Sequence, residues 1–144
     1  MWQRGVTLVE LVTVLVLIGA IAAVSFSRLA PTTLFQLQAS RDTIVAAFFM
    51  AQQRAMAQPN PVRLVTSSNQ IDLLIDTDND GSFADESSFR WGADAYPIDL
   101  VPNQALTPAI FDFNRLGYTS ARTLTLSQAG ESVTISISRT GFVN

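Results

Sequence analysis

The sequence contains no cysteine, no histidine and no lysine; its nine basic residues are all arginine. Each absence removes a class of chemistry. Without Cys or His there is no thiol or Ser–His nucleophile pair, and no thiolate or imidazole zinc site. Without Lys there is no Schiff base and no phosphate-binding P-loop lysine. A disulfide is impossible in any compartment, so the missing Cys does not indicate where the protein resides. Carboxylate, hydroxyl and guanidinium are what remain for catalysis, and an enzyme is not expected. Basic charge is scarce as well: twelve acidic residues against nine arginines give a net charge of −3 and a pI near 4.7. No basic stripe of the kind that neutralises phosphates is visible, so nucleic acid is not an expected partner.

Apolar residues are what the chain has in excess. They make up 48% of the 144 residues against 15% charged, for a mean hydropathy of +0.26. The length suits a single domain. The surplus is concentrated in residues 6–26, VTLVELVTVLVLIGAIAAVSF, whose one charge is Glu10. As a helix this segment would span roughly 31 Å at ~1.5 Å per residue, enough for a bilayer core of ~30 Å. A membrane helix is therefore expected. The same stretch is compatible with a cleavable secretory signal, with Arg4 as its charged flank and cleavage among residues 20–25, or with a plain amino-terminal anchor. Glu10 is required by neither. A carboxylate costs roughly 2.5–3.5 kcal/mol at the centre of a membrane helix on insertion scales, and less near the interface. Its presence points to pairing with a positive group.

Gly5-Val6-Thr7-Leu8-Val9-Glu10, followed by the apolar run, resembles the processing site of type IV prepilins and type II secretion pseudopilins. The resemblance implies a leader over residues 1–5, cut by a prepilin peptidase between Gly5 and Val6, with N-methylation of the new terminus. Val6 stands where the family usually has Phe. Glu10 becomes the fifth residue of the mature chain. It is implied to meet the terminal amine of a neighbouring subunit during assembly. Inside hydrocarbon or a packed helical core, either charge alone would be uncompensated, so pairing would select the register in which subunits dock.

Beyond this segment, Pro31 should kink or melt the helix. From Leu34 an amphipathic helix resumes to about residue 58. Leu37, Ile44, Phe48, Ala51 and Ala55 form its stripe, and Gln58-Pro59-Asn60-Pro61 ends it. Phe48, Phe49 and Met56 are expected in the core. After Pro61 the period switches to two: strands are expected at 62–66 and 70–75, joined by Ser67-Ser68-Asn69, then at 88–91, 98–101, 110–113, 123–127 and 132–139. Gln128-Ala129-Gly130-Glu131 reads as a tight turn. The expected class is α+β: a long hydrophobic helix continuing into an amphipathic one, packed on an antiparallel sheet over about 62–143. Phe113-Asn114-Arg115-Leu116-Gly117 and the closing Ile-Ser-Arg-Thr-Gly-Phe-Val-Asn resemble the GspH/FimT group of minor pilins and pseudopilins. That group includes DNA-binding members with a closing Gly-Arg motif, which is missing here because Gly141 is followed by Phe142.

One constellation has the form of a metal loop. Asp76-Thr77-Asp78-Asn79-Asp80-Gly81 places carboxylates at alternate positions before a glycine, like the opening of an EF-hand calcium loop. Ser87 stands at position twelve, where a bidentate Glu is wanted, with Glu86 one residue early. Asp76, Asp78, Asp80 and Glu86 are thus candidate calcium ligands, Asp85 being a further closing group. The alternative is a solvated turn built on Asn79, Asp80 and Gly81.

The sequence leads to a structural pilin or pseudopilin subunit. Residues 6–26 would anchor it in the bacterial inner membrane, with residues 27–144 as a periplasmic head. Its partners would be the peptidase, an inner-membrane assembly platform and other pilins. A secreted calcium-binding β domain released by ordinary signal peptidase is the alternative. A carboxylate-only hydrolase ranks last, because no acid pair is singled out by spacing.

Overall fold

A computed structural model of the chain describes residues 7–27, 32–91 and 94–144. It divides into two compact units, residues 1–32 and 33–144. The leader residues 1–5 with Val6, and the expected Pro31 kink, fall outside the described residues.

In the first unit, α1 spans Leu8–Ser27. Thr7 opens it: its Oγ1 accepts the Glu10 backbone N–H at 3.3 Å, satisfying one of the donors that a helix start leaves unpaired. Glu10 lies in the first turn, where its carboxylate faces the positive end of the helix dipole. Among the described residues no helix is long and apolar enough to cross a membrane. The described side chains of α1, residues 8–21, cover about 21 Å of axis at ~1.5 Å per residue.

Helix α2, Thr32–Ala57, lies in the second unit except for its first residue. It stops where the two prolines of the 58–61 segment forbid continuation. Leu37, Ile44, Phe48, Ala51 and Ala55 are all buried, as their spacing predicts. Against them lies an antiparallel sheet of β1 (Val62–Thr66), β2 (Gln70–Ile75), β5 (Ile98–Asp99) and β7 (Ala109–Phe113), ordered β5-β2-β1-β7. Val62, Leu64 and Thr66 point into the core while Arg63 and Val65 are half-buried, the alternation a one-sided strand requires. The β1–β2 hairpin pairs Thr66 with Ile71 and Val62 with Ile75 around the expected Ser67–Asn69 turn. Phe48 of α2 packs edge-on to Phe111, with ring centroids 4.8 Å apart, and on Phe113 at 6.3 Å.

The single expected sheet is in fact divided. A second, three-stranded antiparallel sheet orders β6 (Gln104–Leu106), β8 (Arg122–Gln128) and β9 (Glu131–Ile137), and a two-residue ribbon pairs β3 (Arg90–Trp91) with β4 (Asp94–Ala95). Thr107-Pro108 marks the division between the larger sheets: β6 pairs with β8, β7 pairs with β1, and Pro108 has no N–H with which to continue a ladder. The strands expected at 88–91 and 98–101 shrink to two residues each. The β8–β9 turn is as read, with Ala129 at φ 51° and Gly130 at φ 88°, the left-handed pair that a tight two-residue hairpin needs.

Candidate functional site

The candidate residues occupy three places: the surface of α1, the acidic loop after β2, and a corner where α2 meets the carboxyl-terminal segment.

On α1, each described large apolar residue is exposed, from Leu8 at 79% to Val12 and Val14 at 48%. No polar face offsets them; Thr13 turns its hydroxyl back to the Val9 carbonyl at 2.6 Å. A helix apolar all round is built to be enclosed by lipid or by other helices. Glu10 is exposed on this surface, the one described charge among these side chains. Gly5 and Val6, the expected processing residues, lie outside the described residues.

In the loop, the four candidate ligands do not share one environment. Asp76 is buried at 1% exposure, and its two oxygens accept the backbone N–H groups of Asn79 at 2.6 Å and Gly81 at 2.9 Å. Asn79 (φ 65°) and Gly81 (φ 83°) adopt the left-handed conformation that wraps the loop around this carboxylate. Asp80 accepts from Ser82 N–H, and Glu86 accepts from both the backbone N–H and the hydroxyl of Thr77. Two triads have oxygens within 4.8 Å of one another: Asp76, Asp78 and Glu86, and Asp78, Asp80 and Asp85. The structure thus brings the predicted acids together, although as two overlapping sets rather than a single ring of four.

The loop is tied down at both ends. Asn60 donates to the carbonyls of Asp76 and Thr77, and Arg63 lies over the Phe83 ring at 4.1 Å. Arg63 also forms a two-pronged pair with Asp112 across β1 and β7, which raises its pKa. Asp78 feels the neighbouring acids. The Asp80 backbone N–H at its oxygen favours ionisation. Desolvation, the Asp80 charge, a hydrogen bond with Asp76 and the Asp85 charge oppose it, and together raise its pKa above the ordinary value.

At the third place, two expectations are corrected. Phe49 and Met56, assigned to the core with Phe48 from their spacing, are 59% and 53% exposed. Phe48 takes the inward direction, and Phe49, one residue (about 100°) further round the helix, is turned away from it. Gln52, on the same side as Phe49, donates to the Thr140 carbonyl at 2.8 Å and the Gly117 carbonyl at 3.2 Å. One amide therefore joins α2 to two separate turns. A methyl group on Gly117 would lie 2.8 Å from the Gln52 side chain, and one on Gly141 would lie 2.5 Å from both that side chain and the Gly117 carbonyl. Both glycines also have positive φ, so they are required twice over. Beside this corner, clefts of about 500 and 450 Å³ share Val45, Phe49 and Val143. The Gln52 corner was missed by sequence reasoning; the one signal for it was a pair of loop sequences each ending a turn on glycine.

No protein-family model matches the sequence, and no curated protein matches it. Solved structures do. The chain is similar to the minor pseudopilin EpsH of the type II secretion system of Vibrio cholerae, with a TM-score of 0.60 at 9% identity over 76% of this chain and 92% of that one. It is also similar to the type IV minor pilin FimU of Pseudomonas aeruginosa, with a TM-score of 0.57 at 17% identity over 75% of this chain and 90% of that one. The fold of this chain is the type IV pilin-like fold of GspH-type minor pilins and pseudopilins.

Proposed function

We propose that the chain is a structural minor pilin or pseudopilin subunit, without catalytic activity, that joins a type IV pilus or a type II secretion pseudopilus. The observation that carries this reading is the pairing of a pilin-like head with an amino-terminal helix whose described surface is apolar apart from Glu10 and the self-bonded Thr13. A head that already buries its own core has no need of such a helix; a filament does, because packing many copies encloses it. In this reading residues 6–26 hold the precursor in the inner membrane with the head on the periplasmic side. A prepilin peptidase removes residues 1–5, and the amine of Val6 is methylated. Glu10 then seeks a positive partner in a neighbouring subunit. Because the chain has no Lys or His, that partner within like copies is an Arg or the amine that cleavage creates.

The test is the mature amino terminus, read by peptide sequencing of the protein recovered from its native membrane fraction. A start at Val6, lost when Gly5 is replaced by a bulky residue, is the expected result. A start beyond residue 20 would instead favour a secreted domain released by ordinary signal peptidase. Calcium at the 76–86 loop is a separable part of the proposal, favoured by the close approach of the carboxylate triads.

A further inference from the structure

Five of the large apolar side chains that the head exposes belong to segments meeting at Gln52: Phe49 and Met56 of α2, Leu116 and Tyr118 of one turn, and Phe142 of the other. Their exposures run from 49% for Tyr118 to 69% for Leu116. The backbone that carries three of them is fixed by side-chain hydrogen bonds. The Asn114 side chain accepts the N–H groups of Leu116 and Tyr118, at 2.9 and 3.0 Å. The Ser138 hydroxyl accepts that of Phe142 at 3.1 Å and bonds the Thr140 hydroxyl at 2.8 Å. Each turn is locked internally and then clamped to the helix by one amide. The backbone of the two turns is ordered before anything binds, so little backbone entropy remains to be lost on docking.

The charged residues of these three segments are arginines, of which Arg54 stacks on the Phe89 ring at 4.8 Å, while the adjoining cleft is lined by both Arg41 and Asp42. The three segments, residues 49–56, 114–118 and 138–142, contain Arg54, Arg115 and Arg139 and no carboxylate, in a protein whose net charge is −3. Arg115 and Arg139 are both exposed. An apolar centre with an arginine rim is the layout of a protein interface, in which rim charges steer and set register while buried aromatic groups supply the affinity. Five exposed apolar side chains on these segments favour a protein over a nucleic acid. We infer that this corner is the docking surface for another subunit's head, one presenting an apolar helix or loop edged by Asp or Glu. The inference rests on the subunit reading above and adds the face used and the chemistry of its occupant.

The test places a photo-crosslinking phenylalanine analogue singly at Phe142, Leu116, Ile110 and Val12 of the full-length chain in cells carrying the native filament system. Ile110 is the control, 51% exposed on β7. Expected are products from Phe142 and Leu116 with one pilin-like subunit, mapped to a peptide containing Asp or Glu, and none from Ile110. Arg139→Glu should lower the Phe142 product by about tenfold or more, and replacing the mapped carboxylate with Arg should restore it. Arg115→Glu is the second variant, and an unchanged melting temperature of each purified variant shows that it folds. Products from Val12 without any from Phe142 or Leu116 would overturn this inference and leave the subunit reading standing. Absence of products at all of these positions would overturn both. Products that are lost on nuclease treatment, equal yield from Ile110, or indifference to both charge reversals would also overturn it.

Discussion

The two helices of this protein share a backbone geometry and differ in where their apolar residues lie. On α2, Leu37, Ile44, Phe48, Ala51 and Ala55 recur at helical spacing and are buried against the sheets of the same chain. On α1, apolar residues occupy every direction, and those described stay exposed. The contrast teaches that α2 is completed within one chain, whereas the described face of α1 is not covered in the single chain, and the subunit reading proposed above has other molecules cover it. Glu10 sharpens the distinction. It is the one charge among the described side chains of an otherwise apolar helix, and the subunit reading gives it a partner in a neighbouring copy.

The contrast breaks most visibly at Phe48. Phe48→Ala should destabilise the head by about 3–5 kcal/mol, since it empties a fully buried site against Phe111 and Phe113. Leu15→Ala on α1 should leave the melting temperature of the head within error; a shift as large as that of Phe48→Ala would show α1 to be part of the same cooperative unit. Next in size is Gln52→Ala, which strips two backbone carbonyls of their partner and should cost about 1–3 kcal/mol by chemical denaturation. Phe49→Ala, one turn away and exposed, should stay within about 0.5 kcal/mol of the parent, so a large loss there would contradict its assignment to the surface.

The smallest effect concerns Asp78. Its folded-state pKa is raised, so the stability linked to it is full below the unfolded value and is lost as pH rises through the folded one. Asp78→Asn keeps an oxygen for the Asp80 N–H and removes the charge. Without divalent cations it should therefore raise the melting temperature slightly at pH 7 and make no difference at low pH. Millimolar calcium should raise the melting temperature of the parent chain and not that of the variant. A parent chain indifferent to calcium at this concentration would remove the cation from the account.

Much of this was legible in the sequence because it is written locally. The period of 3.6 along residues 34–57 and the alternation along 62–66 each report one face of one element, and two prolines fix the boundary between them. The division into two larger sheets was not legible. It depends on Gln104–Leu106 pairing with β8, a contact between distant segments, and three residues are too few to show a period. The acidic loop was readable as a cluster, yet Asp76 differs from Asp78 and Asp80 only through its burial, which residue type does not encode. Phe49 and Met56 misled for a different reason: their spacing from Phe48 was read as core, but they lie off the stripe of Leu37, Ile44, Phe48, Ala51 and Ala55, and the helix turns them to the surface.

The central claim, that α1 exists to be enclosed by other subunits, is tested most directly by recovery of the protein in a purified filament fraction, for the parent chain and for Glu10→Leu. The account predicts that the processed parent co-purifies with the filament, while the equally processed Glu10→Leu protein stays in the inner membrane. Recovery of the variant in filaments at the parental level would contradict the role given to Glu10, and a parent chain that never enters the filament fraction would contradict the claim itself.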